Sequence, residues 1–164
     1  MKSDIVFSRQ SDEWETPHDL FDLLDKEFHF TLDAAATMAN TKCDRFLANF
    51  PGGDALMLDW WLLSANGAVW LNPPYSRIKD FIKKAYEESL NDVIVVCLIP
   101  SRTDTRYWHD YVMKAAEIRF IKGRLKFGGA TNGAPFPSCI VVFDNRYSRE
   151  DNDLPWVSSM KVTA

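Results

Sequence analysis

The tetrapeptide Asn72-Pro73-Pro74-Tyr75 combines residue types that can hold a flat, polar ligand. It follows the apolar run 69–71, so it lies where a buried strand is expected to end. Proline has no N–H donor and a fixed φ, which leaves a carbonyl pointing outward to accept a hydrogen bond. The Asn72 side chain adds a second acceptor, and Tyr75 adds an aromatic face. Two acceptors beside a π-surface suit a planar group with an exocyclic NH2, such as adenine N6.

The same residues also allow a purely structural interpretation. Two prolines would make a rigid turn from a strand to a helix, and Ser76 would be the N-cap of that helix. This alternative accounts for the prolines and for Ser76, but it leaves Asn72 and Tyr75 unexplained. The tetrapeptide is therefore predicted to be functional.

Hydrophobic periodicity predicts strands that alternate with helices along the chain. The first helix is expected to have Thr16 as its N-cap and Pro17 at its first position. The predicted helices cover 16–28, 76–90 and 103–116. The predicted strands cover 29–33, 69–71, 92–100, 117–127 and 138–143, and the tail after about 146 is predicted to be irregular.

This alternation predicts an α/β fold with a mainly parallel sheet and helices on both faces. In such sheets ligands bind at the carboxyl ends of the strands. The tetrapeptide that starts with Asn72 lies at one of those ends. The length of 164 residues fits a single domain, 1–164, with a core over about 14–143 and an irregular tail over about 146–164.

Composition argues against several classes of protein. No run approaches the roughly 18 apolar residues of a membrane span, and the N-terminus lacks the apolar segment of a signal peptide. Cys43, Cys97 and Cys139 are too widely spaced for a disulfide framework or a CxxC metal site. The sequence therefore predicts buried thiols, a cytoplasmic location (the host cytoplasm if the chain is phage-encoded) and no metal.

The net charge of −4 is distributed unevenly along the chain. Residues 1–60 carry 5 basic and 12 acidic side chains, whereas residues 101–128 carry 7 basic and 3 acidic ones, a net +4. A basic stretch of this kind suits a surface that faces a polyanion. Two solvated faces of opposite charge are the alternative interpretation.

Several short motifs together resemble one enzyme family. The tetrapeptide is similar to the catalytic motif of S-adenosylmethionine-dependent amine methyltransferases. Over roughly residues 14–143, the chain more closely resembles the small phage- and prophage-type Dam family of DNA N6-adenine methyltransferases. The resemblance consists of segments in a shared order: Trp14-Glu15-Thr16-Pro17, Leu32-Asp33-Ala34-Ala35, Asp59-Trp60, Val69-Trp70-Leu71-Asn72-Pro73-Pro74-Tyr75, Leu98-Ile99-Pro100, Gly123-Arg124-Leu125-Lys126-Phe127 and Ala134-Pro135-Phe136.

The resemblance implies a compact, Rossmann-like class I methyltransferase that methylates adenine N6 in DNA. The target base would be flipped out of the duplex. Its amine would then donate to the Asn72 side-chain oxygen and the Pro73 carbonyl, while Tyr75 stacks on the base. Asn72, Pro73, Pro74 and Tyr75 are accordingly the predicted catalytic residues, with S-adenosylmethionine as cofactor.

The cofactor site is predicted near the end of the first strand. Asp33 suits a cationic group, and Ala34 and Ala35 would let the backbone approach a ligand. The glycine-rich loop usual in methyltransferases is missing there, and 38 residues between Asp33 and Asn72 are too few for two strand–helix repeats. Further candidates, each with a helix start, cap or surface role as the alternative, are Thr16, Pro17, Asp54 and Asp59.

Contacts to DNA phosphates are predicted in the basic stretch. The predicted residues are Ser101, Arg102, Arg106, Lys122, Arg124 and Lys126, together with Lys114 and Arg119. No separate recognition domain fits in the chain, so a homodimer or bent DNA would be needed to cover a long site.

Two other functions stay open at this point. One is an amine methyltransferase that acts on RNA or on a protein glutamine. The other is a catalytically idle nucleic-acid-binding protein that has kept the fold.

Overall fold

The computed structural model describes residues 14–48, 54–147 and 154–162. Over these ranges it contains one six-stranded sheet. The strands are β1 (Phe30–Asp33), β2 (Ala68–Leu71), β3 (Val95–Pro100), β4 (Glu117–Ile121), β5 (Ser138–Phe143) and β6 (Trp156–Met160). The helices are α1 (His18–Phe28), α2 (Trp60–Ser64), α3 (Ile78–Ser89) and α4 (Arg106–Asp110).

The sheet is mixed but mostly parallel, with the strand order β1-β2-β3-β5-β4-β6. β2 is parallel to both β1 and β3, and β6 is parallel to β4. β5 is antiparallel to its two neighbours, β3 and β4. Five strands therefore run in one direction and β5 runs in the other. The predicted α/β class is confirmed.

Each face of the sheet is covered by a hydrophobic layer that includes helices. Trp60 of α2, Phe81 of α3 and Trp108 of α4 pack on one face. On the other face, Leu20 and Leu24 of α1 belong to the same buried cluster as Trp70 of β2 and Leu98 of β3. All four residues of β2 are buried, because alternate side chains enter opposite layers. Helices on both faces, as predicted, explain the continuous apolar runs of the central strands.

The start of α1 differs from the prediction. The helix begins at His18, and Pro17 rather than Thr16 is the residue that precedes its first turn. No side chain caps this helix end. Thr16 lies one residue before the cap position, and its hydroxyl accepts a hydrogen bond from the side chain of Asn72. The predictions of Thr16 as N-cap and of Pro17 at the first helical position are therefore wrong.

Two predicted elements in the basic stretch are shorter than expected. The helix predicted over 103–116 is limited to α4, because Tyr111 leaves helical geometry with φ −130° before a 3-10 turn at Val112–Lys114. The strand predicted over 117–127 ends at Ile121, and Gly123 then adopts φ +80°, which favours glycine. Residues 122–126 consequently form a loop.

The prediction of an irregular tail is wrong for residues 156–160. This segment forms β6, which extends the sheet by pairing with β4. Its side chains are mostly exposed, with Trp156 and Val157 more than half accessible to solvent. An exposed edge strand has no alternating burial, so periodicity gives no signal for it.

Candidate functional site

The tetrapeptide leaves β2 at its carboxyl end and turns directly into the next helical segment. Asn72 follows the last residue of β2, and Pro74 precedes a 3-10 turn at Tyr75–Arg77 that leads into α3. The Arg77 N–H donates to the Pro74 carbonyl, 3.0 Å away. Arg77, without a side-chain cap bond, occupies the position before α3, so Ser76 is not the N-cap that the structural interpretation requires.

The side-chain amide of Asn72 is held by the segment that precedes α1. Its Nδ2 donates to the Trp14 carbonyl and, at 3.0 Å, to Thr16 Oγ1. A backbone carbonyl can only accept, so it fixes which side of the amide carries the nitrogen. The amide oxygen therefore points away from Trp14 and Thr16. Among the described residues, no hydrogen bond ends on Asn72 Oδ1 or on the Pro73 carbonyl.

A pocket of about 180 Å3 adjoins this amide. Its lining residues come from four parts of the chain: the segment before α1, the end of β1 with the loop that follows it up to residue 48, Trp70 of β2, and the tetrapeptide. The predicted site residues that it brings together are Thr16, Asp33, Ala35, Asn72, Pro73 and Pro74. Three of the four predicted catalytic residues, without Tyr75, therefore meet three of the predicted cofactor residues at the carboxyl ends of β1 and β2.

Asp33 is a buried carboxyl at the end of β1, with only 3% of its surface exposed. Its Oδ2 accepts from the Lys42 N–H at 3.0 Å, and its Oδ1 accepts from the Ala35 N–H at 3.3 Å. Burial raises the pKa of Asp33 from 3.8 to about 6, and the two N–H donors and the Lys42 charge oppose this rise. The site thus holds an acid that titrates close to neutral pH.

Several residues of the pocket wall were absent from the predicted site. The most notable is Lys42, whose side chain is only 6% exposed and whose Nζ lies 3.3 Å from Glu15 Oε1. Trp14, Thr37 and Asn40 also line the pocket. The motif Trp14-Glu15-Thr16-Pro17 could have indicated that Trp14 and Glu15 belong to the site. No motif in the sequence indicates the residues of the loop after β1.

Four aromatic rings form a cluster beside the tetrapeptide: Trp14, Tyr75, Phe127 and Phe136. Trp14 is stacked with Tyr75, and it meets Phe127 and Phe136 edge-on with centroids 5.3 and 5.2 Å apart. Phe136 also meets the Tyr75 ring edge-on at 5.4 Å. This cluster links the segment before α1, the tetrapeptide and the loop between β4 and β5.

The Tyr75 hydroxyl is buried and forms no hydrogen bond with the described residues. Burial raises the pKa of Tyr75 well above its usual range, and the charge of Arg102 acts in the opposite direction. Tyr75 is therefore a neutral phenol at physiological pH. Its ring is available for packing, and its hydroxyl is not poised to act as a base.

Comparisons with known proteins agree with this geometry. Residues 4–161 match the protein family described as DNA N-6-adenine-methyltransferase (Dam). The chain belongs to the Dam family. The resemblance predicted from the motifs is thereby confirmed.

Two curated relatives of this Dam family chain come from phages. The "DNA N-6-adenine-methyltransferase" of Escherichia phage T1 is 34% identical over 115 residues, which cover 70% of this chain and 46% of the relative. The "DNA N-6-adenine-methyltransferase" of Haemophilus phage HP1 (strain HP1c1) is 31% identical over 142 residues, covering 81% of this chain and 79% of the relative. The chain thus spans less than half of the T1 protein and most of the HP1 protein.

Four of the cofactor residues predicted for this Dam family chain do not line the pocket. Asp54 accepts from the Leu56 N–H and pairs with Arg77 at 3.0 Å, and Asp59 caps α2 by accepting from the Leu62 N–H. The other two are Pro17, at the start of α1, and Ala34, whose N–H donates to the Trp70 carbonyl. Asp54 and Asp59 thus have the cap geometry that was their alternative interpretation.

Apart from Arg106, Lys114 and Arg119, the predicted DNA-contacting residues lie on two segments, one after β3 and one after β4. Ser101 and the exposed Arg102 follow β3, and Arg102 acts electrostatically on Tyr75. The second segment is the loop after β4, which leads to Phe127 of the aromatic cluster. Its exposed basic residues are Lys122, Arg124 and Lys126.

The remaining basic residues of the stretch have protein partners. Arg119 forms a bidentate pair with Glu27 at 2.7 and 2.6 Å and also contacts Glu117 at 2.8 Å. Arg106 is highly exposed and pairs with Asp110 at 3.2 Å within α4. Lys114 lies over the Tyr86 ring. Of these three, Arg119 is the most firmly engaged within the fold.

Residues 14–48, 54–147 and 154–162 contain no group of three or more His, Cys, Asp or Glu side chains arranged to hold a metal ion. No helix in these ranges is long and apolar enough to span a membrane. Cys97 and Cys139 are buried, as the sequence predicts, and Cys43 is partly buried.

Proposed function

We propose that this chain transfers a methyl group from S-adenosylmethionine to the N6 amine of adenine in DNA. The observation that carries this proposal is the orientation of the Asn72 amide. Its nitrogen is engaged by Trp14 and Thr16, so its oxygen is left as an acceptor next to the Pro73 carbonyl. The proposal includes a Rossmann-like class I methyltransferase fold, which the five parallel strands and the helices on both faces support.

The proposed role of the two acceptors is to bind and polarise the target amine. Each of the two N6 hydrogens would donate to one acceptor, Asn72 Oδ1 or the Pro73 carbonyl. Hydrogen bonds in these directions draw the nitrogen lone pair out of conjugation with the ring and make it available for bond formation. Because the acceptors are fixed by the fold, they act through orientation and electrostatics.

Tyr75 would hold the flipped base by stacking. Extrusion of a base costs a few kcal/mol of lost stacking and pairing. Stacking on an aromatic side chain offsets about 1–3 kcal/mol of that cost per base. The contacts of the Tyr75 ring with Trp14 and Phe136 fix its position before a base arrives. A preorganised ring loses little entropy when the base binds.

The pocket fits the charged end of the proposed cofactor. S-adenosylmethionine, when bound, supplies a methyl group on a positively charged sulfur. The buried Asp33 carboxyl suits the cationic part of such a ligand, and Thr16 and Ala35 line the same space. Pro17 and Ala34 lie directly beside these residues in the chain. At about 180 Å3 the pocket is smaller than the roughly 300 Å3 of typical ligand sites. It therefore accommodates part of the cofactor.

DNA would lie across the two basic segments that follow β3 and β4. Arg102 on the first segment and Arg124 and Lys126 on the second are exposed cations suited to phosphate contacts. Ser101, Arg106 and Lys122 extend these segments. We propose that this activity takes place in the cytoplasm of a host cell, and the phage origin of both relatives supports this.

Methyl transfer from labelled S-adenosylmethionine to DNA, RNA and protein, measured in parallel, tests this proposal. We expect label in DNA alone, recovered as N6-methyladenine after digestion to nucleosides. DNA already methylated at N6 is the matched control and should accept no label. Label in RNA or in a protein glutamine would show that the substrate is another amine and not adenine in DNA. No label in any arm, with DNA still bound, would identify an idle binding protein.

A further inference from the structure

The Asn72 amide could in principle hydrogen bond in either of two orientations. The Trp14 carbonyl accepts one of its two N–H groups and Thr16 Oγ1 accepts the other. Rotation of the amide by half a turn would place its oxygen against the Trp14 carbonyl oxygen, so one bond would be replaced by a repulsion between two acceptors. The Trp14 carbonyl thus selects the orientation, and the Thr16 hydroxyl adds a second bond that holds the amide nitrogen in place.

We propose that Thr16 is a positioning residue for the reaction. Its hydroxyl, together with the Trp14 carbonyl, locks the Asn72 amide so that Oδ1 faces the target amine. This inference rests on the proposed function, because it assigns Thr16 a role in binding that amine. It assigns Thr16 no contact with the reacting atoms.

The start of α1 supports a role for Thr16 beyond that of a helix start. Thr16 lies one residue before the cap position, which Pro17 occupies. The helix has no side-chain cap, and the hydroxyl instead bonds to Asn72. Only 4% of the Thr16 surface is exposed, and the bond to Asn72 is partly buried. The hydroxyl of Thr16 thus serves a tertiary contact to the site and not the end of the helix.

Residues 14–16, which hold the Asn72 amide, are themselves held by the loop between β4 and β5. The Glu15 carbonyl accepts from the Gly128 N–H at 3.0 Å, and the Trp14 ring packs against Phe127 and Phe136. Gly128 has φ +54°, a conformation that favours glycine. The loop between β4 and β5 therefore supports residues 14–16, which in turn support Asn72.

Three variants separate positioning from folding. Thr16→Val keeps the shape of the side chain but removes the acceptor, and Thr16→Ser restores the hydroxyl. Thr31→Val is the matched control, because Thr31 Oγ1 donates to the Ser64 carbonyl away from the pocket. If Thr16→Val does not fold, Thr16→Ala tests the same bond. Each protein is measured for its transfer rate on DNA, its KM for DNA, its affinity for S-adenosylmethionine and its Asn72 side-chain amide resonances by NMR.

We expect Thr16→Val to lower kcat by about 10- to 100-fold, the effect of a misplaced group, while KM and cofactor affinity stay within about threefold. The Asn72 amide resonances should shift in Thr16→Val and return in Thr16→Ser, together with the rate. Thr31→Val should match the wild type in all four measurements. A Thr16→Val protein with wild-type kcat, or with unshifted Asn72 resonances, would overturn the positioning role alone. A wild-type protein that methylates no DNA would instead overturn the proposed function and this role with it.

Discussion

The rings of Trp14 and Tyr75 lie nearly parallel, with 22° between their planes and 6.2 Å between their centroids. Trp14 belongs to the segment before α1, whereas Tyr75 ends the tetrapeptide after β2. The backbone carbonyl of the same Trp14 accepts a hydrogen bond from Asn72. One residue therefore positions both the amide that would hold the target amine and the ring that would hold the base.

Replacement of Tyr75 by Phe should stabilise the fold and retain most of the activity. The Tyr75 hydroxyl is buried without a partner, which costs about 1–3 kcal/mol. We therefore expect a higher free energy of unfolding for Tyr75→Phe in a denaturant titration. Tyr75→Ala should instead weaken binding of the flipped base by about 1–3 kcal/mol. Tyr147→Phe, at an exposed position, is the neutral control. Loss of activity in Tyr75→Phe as severe as in Tyr75→Ala would show that the hydroxyl takes part in the chemistry.

Replacement of Asn72 by Ala should abolish methyl transfer, because the amine loses one of its two acceptors. Cofactor affinity should stay within about threefold, a small change for the loss of one uncharged pocket side chain. Single-turnover kinetics and calorimetry on the same protein separate the two effects. Asn91→Ala, at an exposed loop position, should behave as wild type. Near-normal transfer by Asn72→Ala would contradict the assignment of the tetrapeptide.

Replacement of Asp33 by Ala should weaken S-adenosylmethionine binding. A charge-assisted hydrogen bond in a buried site contributes about 1.5–3 kcal/mol, or roughly 10- to 150-fold in Kd. DNA affinity measured without cofactor should not change, because Asp33 lies in the pocket and not on the basic segments. Asp59→Ala removes a helix cap without touching the pocket and serves as the control. Unchanged calorimetric affinity in a folded Asp33→Ala protein would exclude the carboxyl from the cofactor site.

Cofactor binding should strengthen as the pH rises through about 6. Burial raises the pKa of Asp33 from 3.8 to about 6, so at pH 5 the carboxyl is mostly neutral and cannot attract a cation. Below this pKa, the Kd should rise by about tenfold for each unit of pH, and above it the Kd should level off. The effect on folding has the opposite sign, because a raised acid pKa makes the fold less stable as the pH rises from about 4 to about 6. A Kd that is constant between pH 5 and pH 7 would contradict this role of Asp33.

Arg124 and Arg119 should respond differently to replacement by Ala. Arg124 is exposed and forms no ion pair with the described residues. Arg124→Ala should therefore reduce the salt dependence of DNA binding by the equivalent of about one phosphate contact. Arg119 pairs with Glu27 and Glu117, so Arg119→Ala should cost on the order of 1 kcal/mol of stability and leave the salt slope unchanged. Equal salt slopes for Arg124→Ala and wild type would remove Arg124 from the DNA surface.

The position of the tetrapeptide could be predicted because strong local signals meet there. The apolar run 69–71 indicates a buried strand, and two prolines must end it. The same reasoning located β5, and it located α3 from the apolar spacing of Ile78, Phe81 and Ile82. These elements bury side chains at regular spacing, and such spacing can be recognised in the sequence alone.

The partners within the site could not be predicted in the same way. Thr16 has the sequence signature of an N-cap, but the helix begins one residue later than expected, and the Thr16 hydroxyl bonds to the distant Asn72. Lys42 lies in an irregular loop, where no periodicity indicates which side chains turn inward. The exposed strand β6 carries no burial pattern because its stability comes from backbone pairing with β4. Contacts between distant segments override local preference at each of these positions.

β5 lies between β3 and β4 in the sheet, although both of those strands precede it in the chain. On the ribosome, β3 and β4 therefore emerge before the segment that bonds to both of them. Until residues 138–143 have been synthesised, β3 lacks one of its two neighbours, and β4 lacks both because β6 emerges later still. Unpaired strands readily join other chains. We therefore expect chains that are truncated after β4 and before Ser138 to aggregate more readily than the full chain.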